Sequence, residues 1–176
     1  VTGSVASTVV TVNNDGTLQV DGASLLDTAA VTLNDTGDLT LTGSETIGSL
    51  AGASGSAVNL GANTLTVGDG SSTTFAGAIG GAGGLTKQGA GTLTLSGANA
   101  YTGTTRINAG TLTLGAGDVL ADGSTVVVNG GTFDINTRSD TVAGVQLQSG
   151  AITGTTGVLT STSAYDLQSG TVSAIL

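Results

Sequence analysis

The chain has 176 residues, of which 31 are glycine and none is proline, cysteine or histidine, and its formal net charge is −9. With 38% hydrophobic and only 9% charged residues, the composition argues against a disordered chain, and the missing proline excludes collagen. Three basic residues against twelve acids argue against partners such as nucleic acid or anionic membranes, which select clustered Lys and Arg, and no apolar run is long enough for a membrane-spanning helix.

A glycine followed by an alternating strand recurs along the chain, most clearly at 91–95 and 110–114, which both read Gly-Thr-Leu-Thr-Leu. Alternate side chains of a strand point to opposite faces, so the leucines should face one side and the threonines the other. Eight such strands can be followed, and the residues predicted to form the structural core of the repeat are Leu18, Leu39, Leu65, Leu93, Leu112, Phe133, Ile152 and Val172. The intervals between them are 21, 26, 28, 19, 21, 19 and 20 residues, with a mean of 22.

Glycines precede most of these strands and are predicted to form the turns of the repeat, because glycine tolerates backbone conformations that other residues avoid. The predicted turn glycines are Gly16, Gly37, Gly91, Gly110, Gly131, Gly150 and Gly170. The two longest intervals contain the glycine-rich stretches 51–56 and 80–84, which we interpret as loops leaving the repeat or as widened corners.

Two all-β architectures fit this pattern: a parallel β-helix of about eight coils of ~20–28 residues, or an antiparallel β-sandwich built of hairpins. The recurrence of one phrase at equivalent positions favours the β-helix, because stacked coils place Thr on Thr and Leu on Leu. The scarcity of large side chains, with two Phe and two Tyr, also indicates a narrow interior. We expect residues 1–176 to form one domain.

Residues 80–115 resemble the autotransporter-associated β-strand repeat of the passenger domains of Gram-negative type V secreted proteins. The resemblance is carried by Gly84-Leu-Thr-Lys87, Gly89-Ala-Gly-Thr-Leu-Thr-Leu-Ser96, Gly97-Ala-Asn-Ala-Tyr-Thr-Gly103 and Ile107-Asn-Ala-Gly-Thr-Leu112. It implies a right-handed parallel β-helix that is one fragment of a longer passenger domain, translocated through a C-terminal outer-membrane β-barrel and then exposed at the cell surface or secreted. Many such passengers are adhesins, aggregation factors or toxins.

The residues offer little catalytic chemistry. Without His and Cys the chain cannot form a Ser-His-Asp triad, a thiol nucleophile or an N/S zinc site. The acids are dispersed and mostly adjoin Gly, Asn or Ser, as is typical of turns, and Asp134 and Asp166 lie on different strands. Gly80–Gly84 begins a calcium-binding nonapeptide pattern, but Leu85 stands where its Asp belongs. Lys87 is expected to contact an Asp or a corner carbonyl. We therefore predict no cofactor and no metal.

Three functions remain open. A structural stalk of a surface-displayed passenger is favoured, in a parent that acts as an adhesin, an aggregation factor or another virulence factor. Its partners would be the neighbouring coils and the outer-membrane barrel. A directly adhesive or self-associating rod, contacting a host-cell surface or like molecules, is the alternative. A carbohydrate-active enzyme fragment is disfavoured by the scattered acids and because only Tyr101 and Tyr165 could stack on sugar rings.

Overall fold

The computed structural model describes residues 6–22 and 24–176, which form strands and no helix. These residues therefore include no helix that could cross a membrane. The strands are β1 (Val9–Val12), β2 (Thr17–Asp21), β3 (Ala30–Leu33), β4 (Asp38–Gly43), β5 (Glu45–Ile47), β6 (Ser49–Gly52), β7 (Ala57–Asn59), β8 (Thr64–Val67), β9 (Thr73–Phe75), β10 (Ala78–Gly80), β11 (Gly84–Lys87), β12 (Thr92–Leu95), β13 (Thr104–Ile107), β14 (Thr111–Leu114), β15 (Thr125–Asn136), β16 (Asp140–Val142), β17 (Gly144–Gly154), β18 (Leu159–Ser161), β19 (Asp166–Leu167) and β20 (Thr171–Val172).

The strands stack in parallel as a β-solenoid of about eight coils with three faces. Face 1 consists of β1, β3, β6, β9, β12, β14, β20 and the C-terminal parts of β15 and β17. Face 2 consists of β2, β4, β7, β10, β16 and β18. Face 3 consists of β5, β8, β11, β13, β19 and the N-terminal parts of β15 and β17. The β-helix prediction is confirmed, and the antiparallel sandwich is wrong because every ladder between the described strands is parallel.

Two long strands run through the corner between face 3 and face 1. In β15 the residues before the Asn129–Gly131 bend pair with β13 and those after it pair with β14. The strand β17 follows the same path above β15, with register shifts at the bend. These shared strands join the ladders of faces 1 and 3 into one 14-stranded sheet, whereas face 2 consists of separate four-stranded and two-stranded pieces.

The alternation of the sequence becomes an alternation of burial. In β12 and β14 both leucines are buried, while both threonines point outward and are partly exposed. Leu93 pairs in register with Leu112, and Thr94 with Thr113, so each residue type lies above its own kind. One hydrophobic cluster made of such columns fills the interior, which explains how a chain with few aromatic residues closes a core.

Most of the predicted core residues are buried, but they do not occupy equivalent positions in successive coils. Leu39, Leu65, Leu93, Leu112, Phe133 and Ile152 are buried, Leu18 is partly buried, and Val172 is 39% exposed on the last coil. They do not form one column. Leu18 and Leu39 lie on face 2, Leu65 lies on face 3, and the other five form a column on face 1.

The alignment of Leu39, Leu65 and Leu93 as equivalent positions is therefore wrong. Leu39 pairs with Val58, and Leu65 pairs with Leu85. Each of the two longest intervals spans one full coil plus one further face. The stretches 51–56 and 80–84 are not loops leaving the repeat, because they contain parts of β6, β10 and β11 and the corners beside them.

The predicted turn glycines lie at corners or at strand starts, and two different constraints act on them. Gly110, Gly150 and Gly170 have φ values of 65°, 92° and 123°, which side-chain-bearing residues rarely adopt. Gly91 has no such φ, but a Cβ added to it would lie 1.9 Å from the backbone oxygen of Ser71 in the preceding coil. Gly37 has the same kind of close approach, to the Val12 oxygen of the preceding coil. At Gly16 an added Cβ would crowd the Asn13 oxygen of its own turn, and at Gly131 it would crowd the Ile107 side chain.

Candidate functional site

The described part of the chain has no pocket, and no three of its acidic residues come together as a metal site would require. The polar side chains of interest instead lie inside the solenoid, between successive coils. The buried polar or charged residues are Ser24, Glu45, Ser49, Ser56, Lys87, Asn99, Thr105, Ser124 and Asp140.

Asp134 and Asp166 lie on different faces of the solenoid and have different partners. The Oδ1 atom of Asp134, on face 1, accepts hydrogen bonds from the backbone N–H of Asn136 at 3.0 Å and from Thr153 Oγ1 at 3.1 Å. Asp166 lies on face 3, where Oδ2 accepts a hydrogen bond from Gln168 Nε2 at 2.9 Å. Asp134 thus joins β15 to β17, Asp166 bonds to a residue just after its own strand, and the two do not form an acid/base pair.

Lys87 is only 2% exposed and points into the corner that follows β11. Its Nζ atom donates to the backbone oxygens of Gln88 at 2.5 Å and Gly89 at 2.9 Å. Burial lowers the pKa of the Lys87 ammonium, and the charge of Asp69 opposes this effect. The lysine therefore contacts corner carbonyls, one of the two partners expected from the sequence, and it closes a corner from the inside.

Neither tyrosine forms an exposed stacking platform. Tyr101 is completely buried, and its hydroxyl lies 2.6 Å from Thr105 Oγ1. Burial raises the pKa of the Tyr101 hydroxyl well above its usual value, although the Thr105 hydrogen bond opposes this shift. The Tyr165 hydroxyl donates to the Leu159 oxygen at 2.5 Å and accepts from the Ser161 N–H at 3.0 Å. Tyr101 is therefore paired with a buried side chain, and Tyr165 with backbone groups of β18.

Glu45 makes an unusual contact with the preceding coil. It is 3% exposed, and its Oε2 atom accepts hydrogen bonds from the consecutive backbone N–H groups of Ser24 at 2.9 Å and Leu25 at 3.4 Å. These donors precede Glu45 by 21 and 20 residues, which is one coil. We call this contact, one carboxylate oxygen on two consecutive N–H groups of the coil before, a carboxylate clamp.

Asp140 makes the second carboxylate clamp. Its Oδ2 atom accepts from the backbone N–H groups of Val119 at 2.9 Å and Leu120 at 3.0 Å, again 21 and 20 residues earlier. Asp118, directly before these donors, has a φ of 51°, and a left-handed residue beside such N–H groups is typical of the backbone concavities that hold anions. The second carboxylate oxygen, Oδ1, is buried without a hydrogen-bond partner.

Burial raises the pKa of the Asp140 carboxyl to about 6, while the backbone N–H groups of Leu120, Val119 and, more weakly, Thr141 oppose that rise. The nearby charge of Asp118 raises the pKa further. Desolvation of the buried carboxylate therefore outweighs the backbone hydrogen bonds that favour its ionised form.

Asn99 connects three coils on face 2. Its Oδ1 atom accepts from the Ile79 N–H at 2.9 Å, and its Nδ2 atom donates to the Val119 oxygen at 2.9 Å. Asn99 and Val119 lie in segments 96–103 and 115–124, where face 2 has no strand. Isolated backbone hydrogen bonds remain between these coils, such as Asn99 N–H to the Val119 oxygen and Ala100 N–H to the Ile79 oxygen. The side chains of Asn99 and Asp140 add further hydrogen bonds to them, from Ile79 through Val119 to β16.

Reasoning from the sequence did not identify Glu45, Asn99 or Asp140. A signal was present for the two acids, because Glu45-Thr-Ile47 and Asp140-Thr-Val142 alternate. Alternation puts each acid on the same side of its strand as the inward Ile or Val. For Asn99 no comparable signal exists, since it lies in a segment without a strand.

This geometry defines a structural class, a parallel β-solenoid whose interior polar groups tie its coils together. Within it, residues 85–114 match the family described as passenger-associated-transport-repeat. The match runs from β11 to β14 and contains Lys87, Asn99, Tyr101 and Thr105. It confirms the resemblance of residues 80–115 to an autotransporter passenger repeat. No curated protein and no solved structure matches the chain significantly.

Proposed function

We propose that this chain is a stalk segment of an autotransporter passenger, exposed at the bacterial surface or secreted. The observation that carries the proposal is a passenger repeat at residues 85–114 within a continuous stack of about eight parallel coils. The parent protein would act as an adhesin or aggregation factor, and its outer-membrane barrel and neighbouring coils would be the partners of this segment.

The dimensions and internal contacts suit a spacer. Parallel strands are about 4.8 Å apart, so about eight coils extend roughly 40 Å. Inter-coil contacts run along the whole stack, through the ladders of faces 1 and 3 and through the side chains of Glu45, Asn99 and Asp140 on the interior. Such a rod holds what lies beyond it at a fixed distance.

A catalytic role is not part of the proposal. Among the described residues the acids do not converge, both tyrosine hydroxyls are engaged in internal hydrogen bonds, and the buried carboxylates of Glu45 and Asp140 accept bonds from the backbone. These buried polar groups are thus engaged in holding the fold.

The spacer function can be tested by placing the chain between an outer-membrane barrel anchor and a fluorescent reporter on Gram-negative cells. The height of the reporter above labelled lipid would be measured by energy transfer. We expect one narrow distance distribution near 40 Å. A glycine/serine linker of 176 residues is the control, and it should give a broad distribution around roughly 75 Å. A distribution as broad as that of the linker would refute the stalk.

One observation favours direct adhesion as a second candidate. From Thr74 onward, the outward row of face 1 runs through Thr94, Thr113, Asp134 and Thr153. Asp134 is the one charged residue among them. Such a threonine-rich row, with a single charged residue, can repeat weak contacts along its length.

Adhesion would be tested by the settling of cells that display the chain. The double variant Thr94→Glu and Thr113→Glu charges face 1, and Thr66→Glu with Thr86→Glu charges the outward row of face 3 as a control. A stalk predicts that all three displayed chains settle alike. Loss of settling in the face 1 variant alone would establish adhesion through that face.

A further inference from the structure

The corner that joins face 3 to face 1 within β15 carries an asparagine–glycine pair. Asn129 is followed by Gly130, and no other asparagine of the sequence precedes a glycine. Both residues are exposed to solvent. Gly130 has a φ of 112°, which favours glycine, and a Cβ added there would lie 2.7 Å from the Asn108 oxygen. The fold therefore requires glycine directly after this exposed asparagine.

The backbone at this corner departs from the regular ladder. Residues Thr125–Val128 pair with both neighbouring coils, and pairing with both resumes at Thr132. In these registers Gly130 and Gly131 have no partner, and against β17 the two of them oppose the single residue Gly150. Such a bulge leaves the extra residue out of the pairing. Gly130 is therefore not fixed by register pairing, as the residues on either side of the bend are.

We propose that Asn129 is a site of spontaneous modification, where the side-chain amide becomes a carboxylate through a cyclic imide formed with Gly130. The Gly130 nitrogen attacks Asn129 Cγ, and the new N–C bond closes a five-membered ring. The side-chain nitrogen leaves as ammonia, carrying the Gly130 proton. Water then opens the ring by adding its hydroxyl to one carbonyl carbon and returning a hydrogen to the ring nitrogen. Opening at Cγ gives aspartate, and opening at the main-chain carbon gives isoaspartate.

Two features of the corner favour the first step. Glycine has no Cβ beside its amide nitrogen, so the approach of Asn129 Cγ is not obstructed by a side chain. In the next coil, Ser149 donates its hydroxyl to Asn129 Oδ1 at 3.4 Å. A hydrogen bond to this oxygen draws electron density from the carbon under attack. Both products would place a new negative charge on the exposed corner between faces 3 and 1.

Other residues of the chain are less suited to this reaction. Asn136 ends the same strand and is also exposed, but it precedes Thr137, whose branched side chain crowds the attacking nitrogen. Asn99 is buried, and hydrogen bonds hold both ends of its amide group. The four Asp-Gly pairs of the sequence can close the same ring, but they release water in place of ammonia and leave the charge unchanged.

The first measurement follows the native chain during storage at mildly alkaline pH, where the Gly130 amide proton is lost more easily. Isoelectric focusing should show a new species that is one charge more negative than the formal −9 of the starting chain. Peptide mapping by mass spectrometry should place the change at Asn129, as a mixture of aspartate and isoaspartate. Asn136 is the internal control and should remain an amide. Conversion of Asn129 no faster than that of Asn136 would overturn the proposal.

The second measurement uses Asn129→Gln, because glutamine would have to form a larger ring, which closes more slowly. The acidic species should be lost from this variant, whereas Asn136→Gln is the matched control and should form it at the native rate. Asn129→Asp marks the position of the product in the focusing gel. Formation of the acidic species by Asn129→Gln at the native rate would refute the site. Neither measurement depends on whether the chain is a stalk.

Discussion

Glu45 and Asp140 make the same contact at two separate levels of the solenoid. Each directs one carboxylate oxygen to two consecutive backbone N–H groups that lie 21 and 20 residues earlier. Glu45 does so at the start of β5 and Asp140 at the start of β16. In both places the preceding coil has no strand beneath the acid. A buried acid at the first inward position of a short strand therefore accepts the hydrogen bonds of that coil's backbone N–H groups.

Removing the first of these clamps should destabilise the chain. In Glu45→Ala the N–H groups of Ser24 and Leu25 lose their acceptor inside the protein, and unsatisfied buried donors cost about 1–3 kcal/mol each. We expect a loss of about 2–4 kcal/mol in urea unfolding. Thr46→Ala, which alters the outward neighbour on the same strand, should change stability by less than about 1 kcal/mol. Equal effects of both substitutions would contradict the clamp.

The hydroxyl pair of Tyr101 and Thr105 should be energetically coupled. Tyr101→Phe leaves the buried Thr105 hydroxyl without this partner and should cost about 1–3 kcal/mol. Once Thr105→Val has also been introduced, the tyrosine substitution should cost less, because no polar atom is left unpaired. A double-mutant cycle from thermal unfolding measures the coupling. A coupling energy of zero would show that the 2.6 Å contact contributes nothing to stability.

The direction of the β14 side chains can be tested with two adjacent residues. Leu112 is buried in the face 1 column between Leu93 and Phe133, and Leu112→Ala should cost about 2–5 kcal/mol through lost burial and a cavity. Thr113 points outward, so Thr113→Ala should cost less than about 1 kcal/mol. Circular dichroism melting curves measure both. If Thr113→Ala were the more damaging substitution, the strand would face the other way.

Glycine at position 91 is required by the coil beneath it. A methyl group there would lie 1.9 Å from the Ser71 oxygen, which is backbone and cannot rotate away. Gly91→Ala should therefore destabilise the chain by more than about 2 kcal/mol. Gly123→Ala is the control, since nothing lies within 4 Å of its added carbon, and it should be neutral or stabilising by up to about 1 kcal/mol. Similar melting temperatures for the two variants would mean that the coils are further apart.

The sequence predicts the architecture well because the fold repeats a local rule. Alternation in segments such as 91–95 identifies the inward residues, and a period near 20 residues indicates stacked coils. The register could not be predicted in the same way. A glycine and an alternating strand occur on all three faces, so Leu39 on face 2 and Leu65 on face 3 look equivalent in the sequence although they lie on different faces.

The polar interior is only partly predictable from the sequence. Alternation places Glu45 and Asp140 inward, but what they contact depends on which coil lies one turn earlier, and that requires the register. Asn99 has no periodic signal, because the segment around it forms no strand. Its partners Ile79 and Val119 lie 20 residues away on either side, and this geometry appears only when the coils are stacked.

The parallel ladders give this rod a particular response to force. Hydrogen bonds between parallel strands lie roughly across the strands, which here is along the axis of the stack, so a pull along the rod loads the bonds of one coil at a time. Each coil that detaches frees about 20 residues, which extend to at most about 70 Å in place of a rise of about 4.8 Å. Under tension the chain should therefore lengthen in discrete steps, coil by coil, and act as an extensible tether that absorbs work before it breaks.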